Sequence, residues 1–276
     1  MTHPNPTTAG TFRRLHEKGL LILPNAWDAG SARLVESLGA KAVATSSAAV
    51  AWSHGYADGH FLPVPILAAA VAEIVRRVDV PVSVDIEGGY SEEPAGAAAT
   101  VSTVIDAGGV GINLEDGAGS PDLLCAKIEQ VRAAASRLGA DLFVNARTDV
   151  YLKNLVPPEG RLDETLARAK RYREAGADGI FVPAVISAAA IHAIASAVDL
   201  PLNVLARPDL PAASELEALG VRRLSAGSGL ASAAFGRIAS LAAEFLRTGA
   251  SDPLAEGAML YADINALMAR PRTNGD

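Results

Sequence analysis

Apolar and β-branched residues gather into short runs at 20–24, 42–46, 82–86, 110–114, 142–146, 179–183, 202–205 and 221–225. Between them lie longer alanine-rich stretches in which apolar positions recur every three or four residues. The runs have strand length and the stretches have helix length, so the pattern predicts a parallel sheet with helical crossovers. Helices are expected at 29–38, 67–78, 123–138, 162–175 and 188–197. Gly39, Gly108, Gly176 and Gly220 each stand where a helix pattern stops. Glycine accepts the left-handed conformation that closes a helix and lets the next strand begin within a few residues. Asp79-Val80-Pro81 and Asp199-Leu200-Pro201 form a second kind of corner, in which proline stops the helix. Eight such units with no composition shift or linker predict one α/β domain over residues 1–276, a (β/α)8 TIM-type barrel. A further helix pattern at 255–269, inside a C-terminal extension at 250–276, either packs on a neighbouring subunit or closes the bottom of its own barrel.

Composition narrows the functional classes. Half of the 276 residues are hydrophobic, 20% are charged and only 5% are aromatic, as in a soluble chain with an aliphatic core. Acidic residues outnumber basic ones 31 to 24, and the formal charge of −7 repels a phosphate backbone, so no nucleic-acid partner is expected. The single cysteine, Cys125, excludes an internal disulfide framework and a Cys-based zinc cluster, which suits the cytoplasm. The first twenty residues are polar and carry no export signal. Apolar runs such as 67–72 fall short of the ~20 residues a membrane span needs, so no membrane association is expected.

Barrels of this type carry their chemistry at the carboxyl ends of the strands. The polar residues there are Asn25, Asp28, Ser46, Ser47, Asp85, Glu87, Glu115, Asp116, Asn145, Arg147, Asp149, Asn203 and Ser225. In Ser83-Val84-Asp85-Ile86-Glu87 the two acids share one side of an extended segment, and Glu115 ends the next strand facing them. Three carboxylates at one mouth repel one another unless a cation lies between them, and an all-oxygen set favours Mg²⁺ or Mn²⁺. The other reading is that these acids cap helices or pair with Arg147. Arg147 itself either clamps a ligand carboxylate through two parallel hydrogen bonds or pairs with Glu115 or Asp149. The backbone of Ser46, Ser47 and Ala48 offers N–H groups to an anion. Ser225-Ala226-Gly227-Ser228-Gly229 reads either as a phosphate turn or as a tight start for the last helix. The five histidines, His3, His16, His54, His60 and His192, make no spaced metal pair, although His54 and His60 follow strand two and can reach the mouth.

These segments resemble the isocitrate lyase/phosphoenolpyruvate mutase superfamily. The resemblance rests on Leu23-Pro24-Asn25-Ala26-Trp27-Asp28, Thr45-Ser46-Ser47, Tyr56-Ala57-Asp58, Val84-Asp85-Ile86-Glu87-Gly88-Gly89-Tyr90, Gly111-Ile112-Asn113-Leu114-Glu115-Asp116 and Asn145-Ala146-Arg147-Thr148-Asp149. It implies a barrel that often exchanges its last helix between subunits of a homodimer or homotetramer. It implies Mg²⁺ on Asp85, with Asp58, Glu87 and Glu115 reaching the ion largely through water, and Asp58 and Arg147 in the catalytic set. The ligand implied is a 2-oxo or enol carboxylate held by Arg147, Ser46, Ser47, Ala48 and Asn203. Reactions of the superfamily make or break C–C or P–C bonds through an enolate.

The chain departs from the pattern after Glu115-Asp116. Lyases of the superfamily carry an acid/base cysteine in the next loop and phosphonate enzymes carry Lys and Asn, whereas this loop reads Gly117-Ala118-Gly119-Ser120-Pro121. Cys125 lies in the following helix pattern and reads as a small packed residue. Ala44 replaces a common aromatic and is expected to leave a roomier pocket. Pro183 stands near a histidine of the phosphonate enzymes. The sequence therefore predicts a Mg²⁺-dependent C–C lyase or hydrolase for a small 2-oxo or 2-hydroxy di- or tricarboxylate, with poor turnover of isocitrate and 2-methylisocitrate. The alternatives are a phosphonopyruvate mutase or hydrolase, and a 2-oxo acid binding protein with little turnover.

Overall fold

The strand runs form nine parallel strands in the computed structural model, which describes residues 6–269. They are β1 (Leu21–Leu23), β2 (Asn25–Ala26), β3 (Val43–Thr45), β4 (Val82–Asp85), β5 (Gly111–Glu115), β6 (Phe143–Arg147), β7 (Gly179–Phe181), β8 (Leu202–Leu205) and β9 (Val221–Ser225). Their order is β1-β9-β8-β7-β6-β5-β4-β3-β2. The run 20–24, expected as one strand, is divided at Pro24, with β1 paired to β9 and β2 paired to β3. Proline has no N–H for the ladder, yet its carbonyl accepts the Ala44 N–H at 3.1 Å. The two pieces therefore share one stave of a nearly closed eight-stave barrel.

The helices are α1 (Pro6–Arg14), α2 (Ala29–Ser37), α3 (Ser47–Ser53), α4 (Val64–Arg77), α5 (Pro94–Asp106), α6 (Pro121–Arg137), α7 (Arg161–Glu174), α8 (Ala188–Ala197), α9 (Ala213–Ala218), α10 (Gly229–Thr248), α11 (Asp252–Ala255) and α12 (Tyr261–Ala269). The glycine corners hold, since Gly39, Gly108, Gly176 and Gly220 have φ of 96°, 94°, 111° and 94°. The continuous helix expected at 255–269 is instead two pieces, interrupted around Gly257, whose φ is 71°. The second piece, α12, lies on α2 of its own barrel, where Arg33 Nε donates to the Leu267 carbonyl at 3.4 Å.

Alternation sorts the strand residues into two cores. Outward residues such as Val84, Ile112, Leu114, Val144 and Ile180 pack under the helices. Inward residues Leu21, Leu23, Ala42, Ala44 and Phe143 join Phe12 of α1 in a plug at the bottom of the barrel. The polar N-terminal pattern gave no hint of α1, because only Ala9, Phe12 and Leu15 are apolar on its inner side. His16 stacks on Phe143 at 4.3 Å, and burial pushes its pKa down to about 4. Ala44 belongs to this plug, so it does not widen the mouth as expected.

At 20 residues, α10 is long and apolar enough by length and composition to cross a membrane. Of its residues only Ala231 is buried.

Candidate active site

The mouth is built at the ends of β3 to β6. Asp85 closes β4 and is buried, with its N–H donating to Thr45 Oγ1 at 2.9 Å. Its carboxylate accepts the Glu87 N–H at 3.2 Å and faces the Ser47 N–H in the first turn of α3. Burial raises its pKa, Arg147 opposes that rise, and the charge of exposed Asp58 adds to it. Glu87 is pushed up to about 7, first by burial and then by Asp58. Its Oε2 accepts the His60 N–H at 2.5 Å.

Glu115 and Arg147 pair across β5 and β6, where they are in register. Arg147 Nη1 lies 2.6 Å from Glu115 Oε2, yet burial outweighs this attraction and pushes the Glu115 carboxyl up to about 8. The same arginine donates from Nε and Nη2 to the fully buried carboxylate of Asp149, at 2.7 and 3.1 Å. Its two parallel hydrogen bonds therefore go to Asp149, and a ligand meets only the remaining outer N–H groups. Of the two readings of Arg147, the ion pairs with Glu115 and Asp149 are present, and they use most of the fork.

Three non-glycine residues at the mouth have left-handed backbone: His60 (φ 68°), Glu87 (φ 51°) and Tyr90 (φ 56°). Such conformations cost roughly 1–3 kcal/mol each and persist where surrounding contacts impose them. Here the Gly88 N–H donates to His60 Nε2 at 3.0 Å, and Lys127 Nζ donates to the Gly88 carbonyl at 2.7 Å. Gly89 has a φ of 92°, and a Cβ there would stand 2.5 Å from Ala97 Cβ at the start of α5. The Glu87–Tyr90 turn is thus fixed from both sides, which holds Glu87 over Asp85.

Several other mouth residues have structural duties. Asp28 caps α2 and accepts the Ser31 N–H at 2.6 Å. Asn25 accepts the Gly227 N–H at 2.8 Å, so the 225–229 turn spends that donor internally and α10 starts directly after β9. Asn203 is buried and accepts from Ser225 Oγ at 3.1 Å, which leaves its Nδ2 without a partner. Asp116 turns away from the opening into a network with Arg168 and Tyr172. Cys125 is half-buried in α6, with its thiol pKa raised by burial. His54 is exposed at the end of α3, and His3 lies outside the described residues.

Two lysines were missed. Lys127 is buried although it is charged, and Lys153 stands in the segment after β6. Both line a cavity with Glu87, Glu115, His60 and the 117–120 loop. Lys127 interrupts the buried stripe of Leu124, Ile128 and Val131 on α6, a pattern that would have marked it in the sequence.

Among the described residues, no three His, Cys, Asp or Glu side chains stand close enough to form a ready-made metal cage. Glu115 leans on Arg147 and Glu87 on the His60 N–H. The test of fit is therefore the chemistry of the individual oxygens. Asp85 and Glu87 are both held above the usual carboxylate range, Asp58 adds like charge, and the neighbouring Tyr90 hydroxyl and the His60 N–H only partly oppose the rise of Glu87. Arg147 and the buried Arg223 offset part of this charge, yet Asp85 and Glu87 stay raised, and the oxygen-only set fits a hard divalent cation with some of its water retained.

The sequence profile of the phosphoenolpyruvate phosphomutase family matches residues 12–246. A solved structure from Burkholderia cenocepacia J2315, provisionally named a phosphonomutase, is 44% identical with a TM-score of 0.81, covering 85% of this chain and 98% of its own. The probable 2-methylisocitrate lyase 2 of Corynebacterium glutamicum is 30% identical over 244 residues, covering 82% of this chain and 76% of the relative. The oxaloacetate decarboxylase of Paraburkholderia xenovorans is 30% identical over 237 residues, covering 81% and 76%. With barrel, strand-end acids and profile in agreement over most of its length, the chain belongs to the phosphoenolpyruvate phosphomutase family and is an enzyme of the isocitrate lyase/phosphoenolpyruvate mutase superfamily.

Proposed function

We propose that this enzyme is a Mg²⁺-dependent C–C lyase or hydrolase acting on a small 2-oxo or 2-hydroxy di- or tricarboxylate, with oxaloacetate-type acids as the substrates of choice. The observation that carries the reading is the pair of raised, under-compensated carboxylates, Asp85 and Glu87, beside Arg147 at one mouth. Asp85 would hold the ion, with Glu87, Glu115 and Asp58 around it. When bound, the ion neutralises these acids and favours an enolate over the parent 2-oxo acid. At the start of α3 the Ser47 N–H faces the Asp85 carboxylate, and the backbone N–H groups of the cap residue Ser46 and of Ala48 beside it meet the inner carboxylate of the ligand. The outer N–H groups of Arg147 and the unpartnered Asn203 Nδ2 provide further donors.

The loop after β5 supports oxaloacetate over the isocitrates. It is a short turn in which the Gly119 N–H donates to the Asp116 carbonyl at 2.7 Å and Ser120 caps α6. Its side chains include no proton donor stronger than the Ser120 hydroxyl, and a positioned acid or base is worth ~10²–10⁴-fold in rate. With Mg²⁺ present, release of pyruvate from oxaloacetate is expected to exceed cleavage of isocitrate and 2-methylisocitrate by at least ~100-fold. A kcat of about 10 s⁻¹ on either isocitrate would refute the reading. The phosphonomutase name of the Burkholderia relative keeps P–C chemistry as the second reading. Turnover of phosphonopyruvate seen by ³¹P NMR would favour it.

The enzyme is also proposed to be a homodimer or homotetramer. Ile22 lies on the outer face of barrel strand β1, where a helix would normally cover it, and is 60% exposed. Leu38 beside it and Phe235, Ile238 and Leu246 along α10 are exposed as well. Both surfaces are covered if α10 of one subunit lies on the next. Light scattering is expected to give two or four chains, and a monomer at micromolar concentration would exclude this arrangement.

A further inference from the structure

We propose that Lys153 is the residue of this enzyme that receives the outer carboxylate of the substrate, and that it thereby sets the preference for a dianionic 2-oxo acid. The inference rests on the functional reading above and adds a residue and a subsite to it.

The mouth is crowded with negative charge. Asp58 acts there on Asp85 and Glu87, Asp85 acts on Glu87 and Glu115, and Glu92 lines the cavity beside Glu87 and Glu115. A ligand with one carboxylate on the inner site brings its second carboxylate toward Glu92 and acids whose charge a divalent ion offsets only in part, so that group needs a cation of its own. Arg147 has little to give, since Asp149 takes its Nε and Nη2 and Glu115 its Nη1. Lys127 is buried and holds the Gly88 carbonyl at 2.7 Å, which fixes the Glu87 turn.

Lys153 is the other lysine lining the cavity, and its side chain is 44% exposed. Its ion pair with Asp149 is loose. Nζ stands 3.5 Å from Oδ2, beyond hydrogen-bond length for a charged pair, and that carboxylate already accepts twice from Arg147. An ammonium group has three donors, so most of the capacity of Lys153 is open to a ligand.

Its position comes from the loop it overhangs. Gly117 has a φ of 56°, and a Cβ there would lie 3.2 Å from Lys153 Nζ. The ammonium therefore lies directly against the backbone of the loop at residue 117. The lysine is carried there from the segment after β6, anchored by its own backbone N–H on the Asp149 carbonyl at 2.8 Å. It therefore supplies positive charge at a place where the 117–120 loop offers none.

The test is isothermal titration calorimetry at saturating Mg²⁺ with two probes. Oxalate spans only the inner site, whereas 3,3-difluorooxaloacetate adds an outer carboxylate, and ¹⁹F NMR after the titration checks that it is recovered intact. Lys153→Ala should weaken binding of the difluoro compound by roughly tenfold to a hundredfold, the range of a charged hydrogen bond. Oxalate affinity should stay within about twofold, the discriminating limit set by a tenfold change per 1.4 kcal/mol. Lys153→Arg should recover most of the loss, and unchanged oxalate binding shows that the mouth is intact. Equal weakening of both probes, or of neither, would overturn the assignment, as would a wild-type enzyme that binds oxalate but not the difluoro compound. Failure of the wild type to bind either probe with Mg²⁺ would overturn the functional reading and this subsite with it.

Discussion

Asp85→Ala is expected to abolish Mg²⁺-dependent binding of oxalate, a loss of at least ~100-fold in affinity, while leaving the protein folded. The two effects have the same cause. Asp85 is buried with a raised pKa, so in the metal-free protein its ionised form is disfavoured by folding and is useful only when a cation compensates it. Removing the carboxylate removes the proposed ligand of the ion together with the burial cost, and the acceptor lost by the Glu87 and Ser47 N–H groups offsets part of that gain. The sign follows from linkage. Glu87 and Glu115, pushed up from 4.5 to about 7 and about 8, bind protons more tightly folded than unfolded, so metal-free stability should fall as pH rises from 4.5 toward 8. Saturating Mg²⁺ should flatten that slope in the wild type. Calorimetry and urea melts read both quantities, and equal metal-dependent oxalate affinity in wild type and Asp85→Ala would remove Asp85 from the metal site.

Asp116→Ala is expected to cost about 3–5 kcal/mol of stability, the range for breaking a buried ion pair from one side. In the sequence this residue follows Glu115 and looks like another acid of the mouth. In the structure its side chain is fully buried, and Oδ2 accepts from Arg168 Nη1 at 2.9 Å and from Tyr172 OH at 2.6 Å. Oδ1 accepts the Asp149 N–H at 2.9 Å. One carboxylate thus joins α7 to the two segments that carry Glu115 and Arg147. Alanine would strand the Tyr172 hydroxyl and a backbone N–H, and leave Arg168 with Glu164 as its remaining partner. Urea denaturation at pH 7 measures the cost. A change below ~1 kcal/mol would show that water replaces the lost acceptor and that Asp116 does not hold the mouth together.

The two substitutions separate what could be read along the chain from what could not. Strand alternation and the helix-closing glycines are local properties, governed by side-chain direction and by φ, and they determined the barrel, the ends of its staves and the list of residues at its mouth. Asp85 and Glu87 were expected on one side of an extended segment, but β4 ends at Asp85 and the left-handed turn at Glu87, with a φ of 51°, brings the second acid to the first. Which acid meets which base was decided in three dimensions. Arg147 lies in register with Glu115 and turns its fork to Asp149, and Asp116 points toward α7. Period two gives the face of a strand but not the direction of a long side chain just beyond its end, where the alternation stops. Ala44 went to the bottom plug because α1, nearly silent in the apolar pattern, brings Phe12 there. Lys153 reached the mouth because the chain after β6 folds across a glycine of the loop after β5, a contact between segments 36 residues apart that only the closed barrel creates.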